Sequence, residues 1–125
     1  MSRVRGKDTA PEMYVRHLIH ALGFRYRLHG KDLPGRPDLV FRSHRKVIFV
    51  HGCFWHRHKQ RACKLARLPK SRLDFWLPKL NMNHMRDLKN QRKLATLGWK
   101  YLILWECELN DRAFLEKKIS SFLAE

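Results

Sequence analysis

Apolar and polar positions alternate along this chain with two periods, and the changes of period mark its elements. Val15, Leu18, Ile19 and Leu22 recur at helical spacing. Thr9-Ala10-Pro11-Glu12 ahead of them is a capping-box pattern with proline in the first turn, and Gly23 follows the last apolar position, so a helix is predicted in between. Phe24 to Leu28 reads as a short strand, and His29 to Pro37, rich in glycine and proline, as a loop. Leu39 to Phe41 and Lys46 to Val50 read as two strands joined by a polar turn, Arg42 to Arg45. An irregular stretch follows to about Lys70. Ser71 to Trp76 suggests a helix start, with Ser71 and Asp74 as a capping pair, and Pro78 is expected to break or kink it. A second helical stretch runs from Lys79 to Leu97 and stops at Gly98. Trp99 to Trp105 is almost continuously apolar, which predicts a strand at the centre of a sheet. Asp111 can cap a last helix whose apolar side holds Phe114, Leu115, Ile119, Phe122 and Leu123.

Helix, three strands, helices, strand, helix is the order of a three-layer α/β domain with a mixed sheet. The 125 residues suit one domain spanning residues 1–125. Active-site residues in such domains gather where strands end. No run approaches the roughly 18 apolar residues of a membrane span. Met1 leads into charged residues rather than an apolar leader, so a cytoplasmic protein with no membrane association is expected.

Charge narrows the function. Lysine and arginine number 27 against 11 acidic residues, a net charge of +16 and a pI near 10.5. A folded domain this basic points to a polyanion, most simply nucleic acid, with an acidic protein partner as the alternative. The cations run through the whole chain, so the folded surface itself should bind. Three cysteines without an export signal argue against disulfides and for metal ligation.

Candidate chemistry concentrates in Val47 to His58, where three histidines and a cysteine follow the apolar strand. Cys53, His58 and Cys63 are spaced Cys-x4-His-x4-Cys, and Cys107 follows the strand ending at Trp105. Three thiolates and an imidazole make a closed, structural zinc site; unrelated buried cysteines and surface histidines are the plainer alternative. Asp38, after the turn Gly35-Arg36-Pro37, delivers a carboxylate to the start of a strand, beside the end of the strand carrying Val50 and His51. With a backbone carbonyl from that neighbour it suits magnesium, as phosphodiester cleavage requires; a turn cap is the alternative. His51 or His56 could serve as general base or proton donor, against the alternative of surface histidines. Glu12 is the other carboxylate within reach, although the capping box already accounts for it. Phe54 and Trp55, adjacent and so not both buried on one face, and Trp76 could wedge between bases; Trp76 could equally be core.

Together these residues carry a resemblance. His51-Gly52-Cys53-Phe54-Trp55-His56, preceded by Leu33-Pro34-Gly35-Arg36-Pro37-Asp38, resembles the very short patch repair (Vsr) endonuclease family. Arg5 to Glu12, Phe75-Trp76 and Leu102 to Cys107 fall where that family has similar strings, and the likeness runs from about Arg3 to Phe122. The resemblance implies a restriction-endonuclease-like α/β fold with a central mixed sheet and a structural zinc. It implies a strand-specific nick 5′ to the thymine of a T:G mismatch, the product of 5-methylcytosine deamination. Asp38 is then the magnesium-binding aspartate, His56 the histidine acting on water, His51 a second catalytic histidine, and Glu12 a helix carboxylate acting through water. Cys53, His58, Cys63 and Cys107 are the zinc ligands, and Phe54, Trp55 and Trp76 intercalate. Val50 stands where the family often has threonine, leaving its backbone carbonyl for magnesium. The family usually has a DNA-gripping segment ahead of the position of Arg3; the short start here implies either weaker affinity or selectivity, or a misassigned start. The implied partners are T:G-mismatched double-stranded DNA and mismatch-repair proteins, with the enzyme itself a monomer. Two alternatives stand beside this: a nickase for another mismatch, lesion or site, and a non-catalytic zinc protein that binds nucleic acid.

Overall fold

The structure, a computed structural model, describes residues 9–53 and 71–124. Its elements are α1 (Ala10–Ala21), β1 (Arg27–Leu28), β2 (Leu39–Phe41), a 3-10 turn (Arg42–His44), β3 (Lys46–His51), α2 (Leu73–Thr96), β4 (Lys100–Trp105), a second 3-10 turn (Glu106–Asn110) and α3 (Arg112–Ala124). The strands form one mixed sheet in the order β1-β2-β3-β4. β1–β2 and β2–β3 are antiparallel, whereas β3 and β4 run parallel. The parallel pair is joined through α2, as parallel strands need a crossover.

Three layers follow from strand alternation. Leu39, Phe41, Ile48, Val50, Leu102 and Leu104 turn to the side of α1 and α3, where they meet Val15, Ile19, Leu115, Ile119 and Phe122. Val40, Val47, Phe49 and Ile103 turn to the other side and pack with Leu94 of α2 and Trp99. Because both faces are covered, β3 reads as an unbroken apolar run rather than an alternating one. Burying each of the fully enclosed side chains Ile48, Leu104 and Ile119 stabilises the fold by about 1.5–3 kcal/mol.

Lys46 is the one buried cation of the sheet among the described residues. Its Nζ donates to the Phe122 carbonyl at 2.7 Å and lies 5.4 Å from the Phe122 ring centroid. It thereby ties β3 to the carbonyl-rich end of α3, where positive charge is favoured.

The structure departs from the sequence expectations in five places. β4 is an edge strand of the described sheet, not a central one: apolarity reports covered faces, and says nothing of whether a strand's outer hydrogen-bonding edge is paired. Pro78 does not break its helix, since α2 runs unbroken from Leu73 to Thr96. In the second turn the ring forfeits one bond to the Asp74 carbonyl, and the helix is held instead by Leu80 and Leu94, buried four turns apart on one face. α2 starts after Arg72, in the left-handed region at φ 56°, with no side-chain cap, so Ser71 and Asp74 do not form a capping pair. β1 shrinks to Arg27–Leu28. Phe114 is 47% exposed: the inward row of α3 is Leu115, Ile119, Phe122 and Leu123, and Phe114 lies beside that row under the Lys118 ammonium. The Asp111 cap holds, with its Oδ1 accepting from the Phe114 amide at 3.1 Å. Among the described residues no helix is long and apolar enough to cross a membrane.

Candidate active site

Strand directions bring the ends of β1, β3 and β4 and the start of β2 to one edge of the sheet. Asp38 stands there, half-buried, immediately before β2. Its Oδ2 accepts from the Val50 amide at 2.7 Å, the short distance of a charge-assisted bond. The carboxylate is therefore fixed by the backbone of the central strand rather than by a movable side chain.

Opposite Asp38 stands His29. The pairing Leu28 with Leu39 continues by one step, because the His29 amide donates to the Asp38 carbonyl at 3.1 Å and the Gly30 amide to the Pro37 carbonyl at 3.0 Å. His29 is held at φ 50°, the left-handed region that few side chains enter. Gly30 follows because nothing larger fits: a Cβ there would lie 2.8 Å from Cγ2 of Val40 and 3.3 Å from Cδ1 of Leu33. Its backbone lies outside the left-handed region, where glycine-to-alanine replacement ordinarily stabilises by limiting the unfolded chain. We expect Gly30→Ala instead to destabilise by about 1–3 kcal/mol through overpacking, read as a lower midpoint in urea unfolding. A raised midpoint would refute the close approach.

α1 supplies the second carboxylate. Thr9 caps the helix, its Oγ1 accepting from the Glu12 amide at 3.4 Å and its hydroxyl donating to Glu12 Oε2 at 2.9 Å. Glu12 is only 7% exposed, so it does more than cap. Its Oε1 lies 3.5 Å from Nη2 of Arg16, one turn along and equally buried. The same Arg16 nitrogen reaches Nε2 of His29 at 3.4 Å. Ligand atoms of Glu12, His29 and Asp38 all lie within 4.8 Å of one another.

His51 ends β3, 4% exposed, with its ring edge-on to Phe49 at 5.6 Å and to its β4 register partner Trp105 at 5.2 Å. Beyond it Cys53 is fully buried, and its Sγ accepts from the Cys107 amide at 3.4 Å. Two of the four expected zinc ligands are thus adjacent. Trp76, half-buried in the first turn of α2, meets the Phe75 ring edge-on at 5.1 Å. Phe75 is 47% exposed, with the Arg72 guanidinium 4.8 Å and the Lys79 ammonium 5.9 Å from its centroid. Aromatic rings among cations suit a nucleic-acid surface. His56, His58, Cys63, Phe54 and Trp55 lie outside the described residues.

Glu12 and Asp38, both expected from the sequence, meet at one site, and His29 and Arg16 join them unexpectedly. Loop composition hid His29; extending the strand pairing by one residue reveals it. Arg16 carries no local signal, because its interior position depends on how α1 meets the sheet.

The donor set fits a hard divalent cation. Ligands on opposite sides of magnesium stand about 4 Å apart, close to the spread found here, and oxygen donors predominate. A carboxylate at a strand start clustered with one from α1, in an α/β/α protein of net charge +16, suits an enzyme directed at a polyanion. Residues 1–62 match the family model described as DNA mismatch endonuclease Vsr. The chain is 51% identical over 123 residues to the type II nicking enzyme V.XorIIP of Xanthomonas oryzae, covering 98% of this chain and 88% of that one. It is 39% identical to the type II nicking enzyme V.NmeAIP of Neisseria meningitidis over all of this chain and 87% of the relative. It is 43% identical to the DNA mismatch endonuclease Vsr of Escherichia coli over 90% of this chain and 70% of the relative. The chain belongs to the Vsr family of DNA mismatch endonucleases.

Proposed function

We propose that this protein nicks one strand of double-stranded DNA 5′ to the thymine of a T:G mismatch, by magnesium-dependent phosphodiester hydrolysis. The observation that carries this reading is the convergence of Asp38, anchored by the Val50 amide, with the buried carboxylate of Glu12. Asp38 and the Val50 carbonyl would hold magnesium, with Glu12 engaging it through water. Bound there, magnesium supplies positive charge to the phosphate and leaving oxygen as negative charge develops. His56 takes the proton of the attacking water. His51, its ring restrained by Phe49 and Trp105, keeps one orientation near the phosphate. Phe54, Trp55 and Trp76 enter the base stack, where a mispaired step is cheaper to open.

A restriction-endonuclease-like arrangement is in keeping with this layered mixed sheet. The zinc reading rests on the pairing of Cys53 with Cys107, since an amide donating to a buried sulfur is the setting of a thiolate ligand. His58 and Cys63 would complete that site, and zinc there serves folding rather than chemistry. The enzyme acts as a cytoplasmic monomer, with mismatch-repair proteins as its further partners.

The test is a nicking assay on otherwise identical T:G and T:A duplexes with magnesium. We expect T:G to be cut at least about 100-fold faster, a difference of ~2.7 kcal/mol in barrier. Equal cutting would overturn the mismatch reading. Relatives named type II nicking enzyme, V.XorIIP and V.NmeAIP among them, make a nickase for another mismatch or site the second reading. A panel of mismatches in varied flanking sequence separates the two.

A further inference from the structure

We propose that His29 is a direct nitrogen ligand of the divalent cation and biases this site toward manganese over magnesium. The inference rests on the reading of Glu12 and Asp38 as a cation site, and goes beyond it in assigning a third donor and a metal preference.

Three observations support it. His29 is placed opposite Asp38 by two backbone hydrogen bonds, and its ligand nitrogen lies within 4.8 Å of carboxylate oxygens of both Asp38 and Glu12. Its backbone is held in the left-handed region, a conformation of the kind that accumulates where a side chain must be aimed. Oε1 of Glu12, buried on the same site, accepts no hydrogen bond among the described residues, and the Arg16 guanidinium lies 3.5 Å from it.

Arg16 also defines the chemistry of the ring. Nε2 of His29 lies 3.4 Å from Arg16 Nη2, so the ring sits between a cationic guanidinium and the two carboxylates. Two carboxylates beside an imidazole form a mixed oxygen and nitrogen set. Magnesium prefers oxygen and keeps its waters, whereas manganese and the later divalent metals accept imidazole more readily.

The experiment titrates Mn2+ and Mg2+ separately into the DNA-free protein by calorimetry, and records the pulsed-EPR nitrogen modulation of bound Mn2+. The variants are His29→Asn, Asp38→Asn and His51→Gln. Asparagine tolerates the left-handed backbone, so His29→Asn should fold, as circular dichroism would verify. We expect wild type and His51→Gln to show imidazole-nitrogen modulation and His29→Asn to lose it. Mn2+ affinity should fall by about tenfold or more in His29→Asn and Mg2+ affinity by less than about threefold. Modulation that persists in His29→Asn, or equal losses for both metals, would overturn the assignment while leaving the carboxylate site standing. Mn2+ binding that ignores Asp38→Asn would overturn both.

Discussion

Asp38→Asn should reduce nicking of a T:G duplex by at least about a thousandfold, some 4 kcal/mol in barrier, while DNA affinity stays within about threefold. The asparagine side chain has the same shape and keeps an oxygen able to accept from the Val50 amide, the 2.7 Å bond that fixes the aspartate. What it removes is the charge. A neutral amide is a poor magnesium ligand, so on the proposed mechanism the charge stabilisation that the cation would give the phosphate should be lost with it. Binding behaves differently. Affinity should come mainly from exposed lysines and arginines meeting phosphates, in a chain of net charge +16, and removing a negative charge should not weaken that attraction. Single-turnover nicking beside fluorescence anisotropy on the same duplex reads both quantities. An Asp38→Asn protein that still nicks at an appreciable rate would remove the metal role. A variant that has lost both nicking and binding would indicate a collapsed β1–β2 loop instead.

The sequence and the structure agree where side-chain burial is the issue and part where pairing is. α1 and α3 were legible because Val15, Leu18 and Ile19, and Leu115, Ile119 and Phe122, repeat at the helical period beneath recognisable caps. β2 and β3 were legible as short apolar runs between turn signals. The edge position of β4 was not, since hydrogen bonding along a strand's outer side leaves no mark on hydropathy. Pro78 does not end the helix for a related reason: propensity is local, while α2 is held by the burial of Leu80 and Leu94. At the site, Asp38 was visible beside a turn of unusual composition, and Glu12 was visible only as a cap until its burial gave it a second role. His29 needed the antiparallel register, a property of two strands together. The roles of the individual side chains come from the resemblance; geometry contributes the meeting of Glu12, His29 and Asp38.

Cys53→Ser should abolish zinc binding and lower stability by about 3–5 kcal/mol, less than the ~10 kcal/mol or more that structural zinc supplies to peptides with no core of their own. The difference follows from where the cysteines lie. Cys53 is fully buried just past β3, and Cys107 follows β4, so the pair ties together the ends of the parallel strands while Ile48, Leu104 and their neighbours hold the layers. The serine hydroxyl would be buried and poorly matched, which adds a small penalty; Cys107→Ser, at a half-buried position, controls for it. Metal analysis of purified protein should find one zinc per chain in wild type and none in either variant, and urea unfolding should move in step. A variant that kept zinc, or unfolded at the wild-type midpoint, would refute the clasp. The consequence reaches the chemistry. His51 and Trp105 are register partners at the same strand ends, two residues from each cysteine. Loosening the clasp should therefore free the His51 ring and depress nicking even at saturating magnesium. Stripping zinc with a chelator and then restoring magnesium alone should leave the enzyme slow, because zinc binds through thiolates that magnesium does not favour.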